Sequence, residues 1–157
     1  MKNILNKKLL LRYSRQIVLK DVGPIGQKKI INSKVLVVGA GGLGCPVIDS
    51  LSRSGVGNIG VVDDDRVNIS NIHRQSIYNS KDIGKFKVNA IKQKIKLINP
   101  QVKIKIFKLR IQKKNIEKIL KSYDFIVDGS DNFKTKFLLN EYSLNYKKIL
   151  IVGAISK

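Results

Sequence analysis

The chain has 157 residues, 43% hydrophobic and 27% charged, which suits one globular domain with its own core and does not suit a disordered chain. Its formal charge of +20 comes from 25 lysines but only six arginines, spread over polar positions with aromatics at 6%, so a solvated lysine surface is favoured over a nucleic-acid interface. A single cysteine, Cys45, and a single histidine, His73, exclude an internal disulfide and a structural zinc site. No apolar run approaches the ~20 residues that cross a bilayer.

Residues 6–19 carry Leu9, Leu10, Tyr13, Ile17 and Val18 at helical spacing around Arg12-Tyr13-Ser14-Arg15-Gln16. A short helix over 25–32 leads into Val35–Val38, an apolar β-branched run that reads as a buried parallel strand. The strand stops at Gly39, and a helix is predicted from about Gly42 to Ser54. Asn58–Val62 is a second strand, ending at Asp63 and followed by a long polar stretch through Gln75. Gly84-Lys85-Phe86-Lys87 opens a helix with Val88, Ile91, Ile95 and Ile98 on one face, and Asn99-Pro100 ends it. Val102–Phe107 alternates and so predicts a strand near a sheet edge. A short helix around Ile116, Ile119 and Leu120 follows, then a strand over 123–128. The turn Gly129-Ser130-Asp131-Asn132 precedes a helix from Phe133 to about Tyr146, and a last strand covers Ile149–Val152. Strands alternating with helices predict a Rossmann-like, doubly wound, mainly parallel α/β sheet preceded by N-terminal helices, with residues 1–157 forming a single domain.

Gly39, Gly41 and Gly44 fit the G-x-G-x-x-G spacing that follows a strand and opens a helix. The first glycine permits the tight turn, the second lets the backbone approach a phosphate, and the third lets the helix pack on the strand. Asp63, nineteen residues beyond Gly44, stands where a carboxylate would hold a ribose hydroxyl. The helix N-terminus aims its free N–H groups and positive dipole end at the same place, so an anion belongs there. This is a nucleotide-binding βαβ unit.

Taken together, R-Y-x-R-Q from Arg12, G-x-G-G-L-G from Gly39, D-x-D from Asp63, S-N-x-x-R-Q from Ser70, G-x-x-K ending at Lys87 and D-x-x-D-N ending at Asn132 resemble the ubiquitin-activating-like adenylyltransferases. Within that family the chain is most similar to the molybdopterin-synthase adenylyltransferases and their thiamine sulfur-carrier siblings. The resemblance runs from about Leu10 to Ala154. It implies an enzyme that joins AMP from ATP to the C-terminal glycine of a ubiquitin-like sulfur carrier and releases pyrophosphate. That chemistry needs charge neutralisation and alignment at phosphorus, not a protein nucleophile.

The resemblance also implies the site. Gly39, Gly41, Gly42 and Gly44 form the phosphate turn, and Asp63 holds the ribose. Ser70, Asn71 and Arg74 reach the phosphates from the loop after the second strand, and Lys87 adds a point charge. Asp131 is the magnesium-linked carboxylate, with Asn132 beside it. Arg15 acts across a homodimer interface in the partner's site. Catalysis is assigned to Arg15, Arg74, Lys87 and Asp131. Asp64 is read as a solvated or capping acid, His73 as a loop residue and Cys45 as a small buried side chain. Lys28, Lys29 and the lysines of residues 92–96 are read as a solvated face.

Lys136 stands where the family usually has arginine, so a bidentate contact there is lost. The family's later carrier-binding strands and the two C-x-x-C pairs that hold zinc are absent from this sequence, which suggests a fragment. The lack of a leader-like segment and the Lys-Ile-Asn enrichment suggest a soluble protein of a bacterial cytoplasm or a plastid stroma. Two other readings stay open: a dinucleotide-using Rossmann oxidoreductase, which Asp63 and the glycines would also serve, and a non-catalytic remnant that only binds.

Overall fold

The computed structural model describes residues 5–154. Five parallel strands form one sheet in the order β3-β2-β1-β4-β5: β1 Lys34–Val38, β2 Asn58–Val62, β3 Lys103–Phe107, β4 Phe125–Asp128 and β5 Ile149–Val152. The central strand β1 is buried from Val35 to Val38, because it is covered on both faces. Val35 and Val37 face one core with Ile48, Ile91 and Ile95, while Leu36 and Val38 face the other with Ile116, Leu120, Ile126 and Leu139. Each fully buried aliphatic side chain contributes about 2 kcal/mol from apolar area removed from water. The alternating strand β3 lies at the edge its pattern predicts.

The connecting helices are α4 Gly44–Ser54, α5 Lys87–Ile98, α6 Lys113–Leu120 and α7 Phe133–Asn145. Helix α4 ends at Gly55, whose φ of +86° supplies the left-handed cap. The predicted helix over 42–54 begins two residues later than expected, because residues 41–43 form the turn around the pocket.

The N-terminal segment departs from the single helix predicted over 6–19. It forms α1 Lys7–Arg12 and α2 Ser14–Ile17, broken at Tyr13, and α3 Gly23–Asn32 follows. Tyr13 is 3% exposed and packs on Gly55, where a side chain would collide with its ring. Its hydroxyl accepts from Asn99 Nδ2 at 2.9 Å, and that same amide donates to Ser52 O at 2.9 Å. Gln16 donates to Ser54 O at 2.9 Å and to the Gln27 side chain. The break lets Tyr13 and Gln16 bind the ends of α4 and α5 and leaves Arg15 exposed, while Arg12, also exposed, donates to Ile98 O at 3.1 Å. Among the described residues, no helix is long and apolar enough to cross a membrane.

Candidate functional site

A pocket of about 750 Å³ opens at the C-terminal ends of β1, β2 and β4, where the strand order reverses and open α/β sheets bind ligands. Its floor is two turns in backbone contact. Gly39 has a φ of +92°, and a Cβ there would lie 2.7 Å from the carbonyl oxygen of Gly129. A side chain on Gly44 would strike the Gly39 carbonyl. Those two glycines therefore serve the packing of the turn. Gly41 and Gly42 line the pocket, and a Cβ at either would meet nothing closer than 3.8 Å, so the fold leaves that space for a ligand.

Asp63 builds the turn as well as facing the pocket. Its Oδ2 accepts from Ala40 N at 2.8 Å and its Oδ1 from Asp65 N at 2.8 Å. Burial raises the Asp63 pKa above the ordinary carboxylate value, although both hydrogen bonds and the Lys87 ammonium pull it down. Two side chains close on the carbonyl of Ala40: the Tyr78 hydroxyl donates at 2.9 Å and the Cys45 thiol at 3.3 Å. Burial pushes the Cys45 thiol up to about 11, which makes it a packed side chain and not a reactive thiolate.

Lys87 projects from the start of α5, 5% exposed, with its Nζ 2.9 Å from Asp65 Oδ2. Arg74 comes from the loop after β2, exposed, its guanidinium donating to Ser70 O at 2.9 Å beside Gly42. Asn71 lines the same wall. Across the pocket, the Asn132 side chain caps α7 by accepting from Thr135 N at 2.9 Å. The Asp131 carboxylate is exposed to the pocket and forms no hydrogen bond or ion pair among the described residues. Such a group suits a hard cation carried in with a nucleotide. Asp63, Asp64 and Asp65 also bring carboxylate oxygens within 4.8 Å of one another. Asp64 and Asp65, however, face Arg110 at 3.4 Å and Lys87 respectively.

The pocket thus gathers Gly39, Gly41, Gly42, Asp63, Asn71, Arg74, Lys87, Asp131 and Asn132. Three of the residues assigned from the sequence lie elsewhere. Gly44 is buried under the turn, and the Ser70 hydroxyl is turned to Asn68 Oδ1 at 2.9 Å. Arg15 is exposed on α2 and does not line the pocket of its own chain. His73 is an exposed loop residue, as read.

Residues behind the pocket wall and along it carried little signal of their own. Asp128 at the end of β4 is fully buried; its Oδ1 accepts from Ser130 N at 2.9 Å and Ser130 Oγ at 2.6 Å. Its Oδ2 faces Lys136 Nζ at 3.2 Å, and that ammonium also donates to Gly153 O at 2.9 Å. Lysine at this position therefore ties α7 to the ends of β4 and β5. Only the D-x-x-D spacing hinted at Asp128. Leu109 and Ile111 supply an apolar wall that the loop sequence gives no reason to single out.

A bare glycine turn, a carboxylate at the end of β2, cations on two loops and an exposed carboxylate at the next turn define an α/β protein of the Rossmann-like class with a polar pocket at its switch point. The family model described as ThiF family matches residues 13–157, and the chain belongs to that family. The sulfur carrier protein adenylyltransferase of Thermus thermophilus is 44% identical over 149 residues, covering 95% of this chain and 55% of the relative. The probable molybdopterin-synthase adenylyltransferase of Gracilaria tenuistipitata var. liui is 40% identical over 144 residues, covering 92% of this chain and 41% of the relative. The chain therefore spans about half the length of these curated relatives. Among solved structures, that of Escherichia coli MccB with ATP superposes with a TM-score of 0.86 at 26% identity, over 100% of this chain and 48% of that one.

Proposed function

We propose that the chain is the nucleotide-binding part of an ATP-dependent adenylyltransferase acting on the C-terminal glycine of a ubiquitin-like sulfur carrier, in the molybdopterin-synthase branch of the family. One observation carries this reading. The pocket combines a bare glycine turn with Arg74, Lys87 and the unpaired Asp131, a set suited to a triphosphate and its cation. The named activities of the Thermus and Gracilaria relatives and the ATP in the MccB structure support it. In this reading Asp63 accepts from the ribose, Gly41 and Gly42 present backbone to the phosphates, and Arg74 and Lys87 neutralise them. The carrier's carboxylate attacks the α-phosphorus; its oxygen forms the new P–O bond as the bond to pyrophosphate breaks, leaving an acyl-adenylate. Magnesium held with Asp131 would supply charge neutralisation at the triphosphate.

Calorimetric titration tests the nucleotide. ATP with magnesium should bind more tightly than NAD, and Arg74→Ala should weaken ATP about tenfold, the scale of one charge-assisted hydrogen bond. Preference for NAD that Arg74→Ala leaves untouched would overturn the reading. Carrier-dependent ATP–pyrophosphate exchange, run with the molybdopterin and thiamine carriers in parallel, tests the branch.

The outward position of Arg15 fits a role in the phosphate site of a second copy. Arg15→Ala and Asp131→Ala chains should each be inactive alone. Once exchange of subunits is verified, mixing them should restore exchange activity at one site per dimer. No recovery would confine Arg15 to its own subunit or to a structural role.

A further inference from the structure

A second depression, of about 330 Å³, lies at the opposite end of the sheet, where β1, β2 and β3 begin. Cross-strand register creates it. Lys34, Asn58 and Lys103 are the first residues of their strands and stand side by side in one row, Lys34 opposite Asn58 and Asn58 opposite Lys103. Two residues further on, and so on the same face, Leu36, Gly60 and Lys105 form the next row. Gly60 has no side chain to fill that row, and the Tyr123 hydroxyl occupies the space a Cβ would need.

Tyr123 is the telling residue. The residue as a whole is 4% exposed and lines the depression, while its hydroxyl, which forms no hydrogen bond among the described residues, is the part that reaches solvent there. Burial pushes its pKa up to about 12, so at neutral pH the group is a phenol with a proton to donate. Lys34, Lys103, Lys105, Asn58 and Ser122 line the depression with it, and none of the lining residues is acidic. None of the three lysines forms an ion pair among the described residues. The nearby carboxylate of Asp124 is turned to the Lys34 backbone N–H, at 3.2 Å. Lys105 leans on Phe107, its Nζ 5.3 Å from the ring centroid, which leaves all its N–H donors free.

We propose that this depression is a second anion site, separate from the nucleotide pocket, that takes a compact multivalent oxyanion of the polyphosphate class. A single carboxylate would leave most of the lysine charge unmatched, whereas two or more phosphoryl groups match it and accept from the Tyr123 hydroxyl. Parallel register makes the site more than a scatter of surface lysines, since it stacks the cations on one face over a glycine.

The test is a ¹⁵N-edited NMR titration of the whole chain with inorganic pyrophosphate, in which Gly42 reports the nucleotide pocket and Gly60, Lys105 and Tyr123 report this one. Saturable shifts at Gly60, Lys105 and Tyr123 are expected. Tyr123→Phe keeps the ring and should weaken them about tenfold, the scale of one hydrogen bond to a charged group. Lys105→Gln, at an exposed position, should weaken them about threefold, and Lys28→Gln should leave them unchanged. Shifts confined to Gly42 would overturn the proposal. So would shifts that never saturate, that chloride at equal ionic strength reproduces, or that neither Tyr123→Phe nor Lys105→Gln weakens. A single-stranded oligonucleotide titrated in parallel should bind more weakly; equal or tighter binding would replace the compact anion with a phosphodiester chain.

Discussion

The two strand-to-helix turns that meet under the pocket, after β1 and after β4, perform the same task by different means. The first is made of backbone. Gly39, Gly41, Gly42 and Gly44 let the chain turn, lie against Gly129 and leave room above, and one carboxylate, Asp63, reaches over from β2 to hold Ala40 N. The second is made of side chains. Asp128 gathers Ser130 and Lys136, and Lys136 extends the contact to Gly153 at the end of β5. The turn that lines the open pocket is kept free of side chains, and the turn beside it is fixed by a buried ionic cluster.

The sharpest way to break the first turn is Gly44→Ala. The added methyl meets the Gly39 carbonyl, and the Gly39 N–H is already committed to Val62 O at 2.9 Å, so the turn has little room to yield. Alanine's better helix propensity offsets only about 1 kcal/mol. Urea denaturation should show a net loss upwards of about 3 kcal/mol, and a loss below 1 kcal/mol would show that the turn adapts.

Breaking the second turn should cost less, because the pocket admits water and Lys136 can swing into it. Asp128→Ala leaves the Ser130 donors without their buried acceptor and should lower stability by about 2–3 kcal/mol. Lys136→Met removes one arm of the cluster and should cost about 1–2 kcal/mol. Hydrogen exchange should then quicken first at Gly153, whose N–H donates to Asp128 O at 2.8 Å. Uniform quickening along β5 and β4 alike would deny Lys136 the role of a tie between the strand ends.

The smallest expected effect is in pH dependence and belongs to the first turn. The Asp63 carboxyl titrates above its ordinary value in the folded chain, so the unfolded chain gives up that proton first as pH rises. The resulting contribution favours the folded state below the unfolded pKa, ~3.9, and is lost as pH rises through the folded value. Asp63→Asn should flatten that part of the stability–pH curve while its amide oxygen still caps Ala40. An unchanged slope would mean that another acid sets it.

The glycine turn was legible because its cause is local. Spacing of three glycines after an apolar strand dictates where a side chain cannot stand, and Asp63 follows at the distance set by one helix and one strand. Lys87, Asn71, Arg74, Asp131 and Asn132 came from matching short motifs, and they line the pocket. The same method placed Ser70 and Gly44 in the site because a motif carries its packing and turn-forming members along with those that face the ligand.

What the sequence determined by itself was the alternation of strands and helices, the burial of the strand before Gly39, the edge position of β3 and the turn that opens on the pocket. Each follows from periodicity or from steric limits within a few neighbouring residues. Only the tertiary structure decided the rest. It broke the first helix at Tyr13 to reach Asn99, 86 residues away in sequence. It joined Asp128 to Lys136 and Gly153, and it lined Lys34, Lys103 and Lys105 on one face over Gly60. Those contacts depend on which strands lie side by side and in what register, and the packing of the whole sheet sets that.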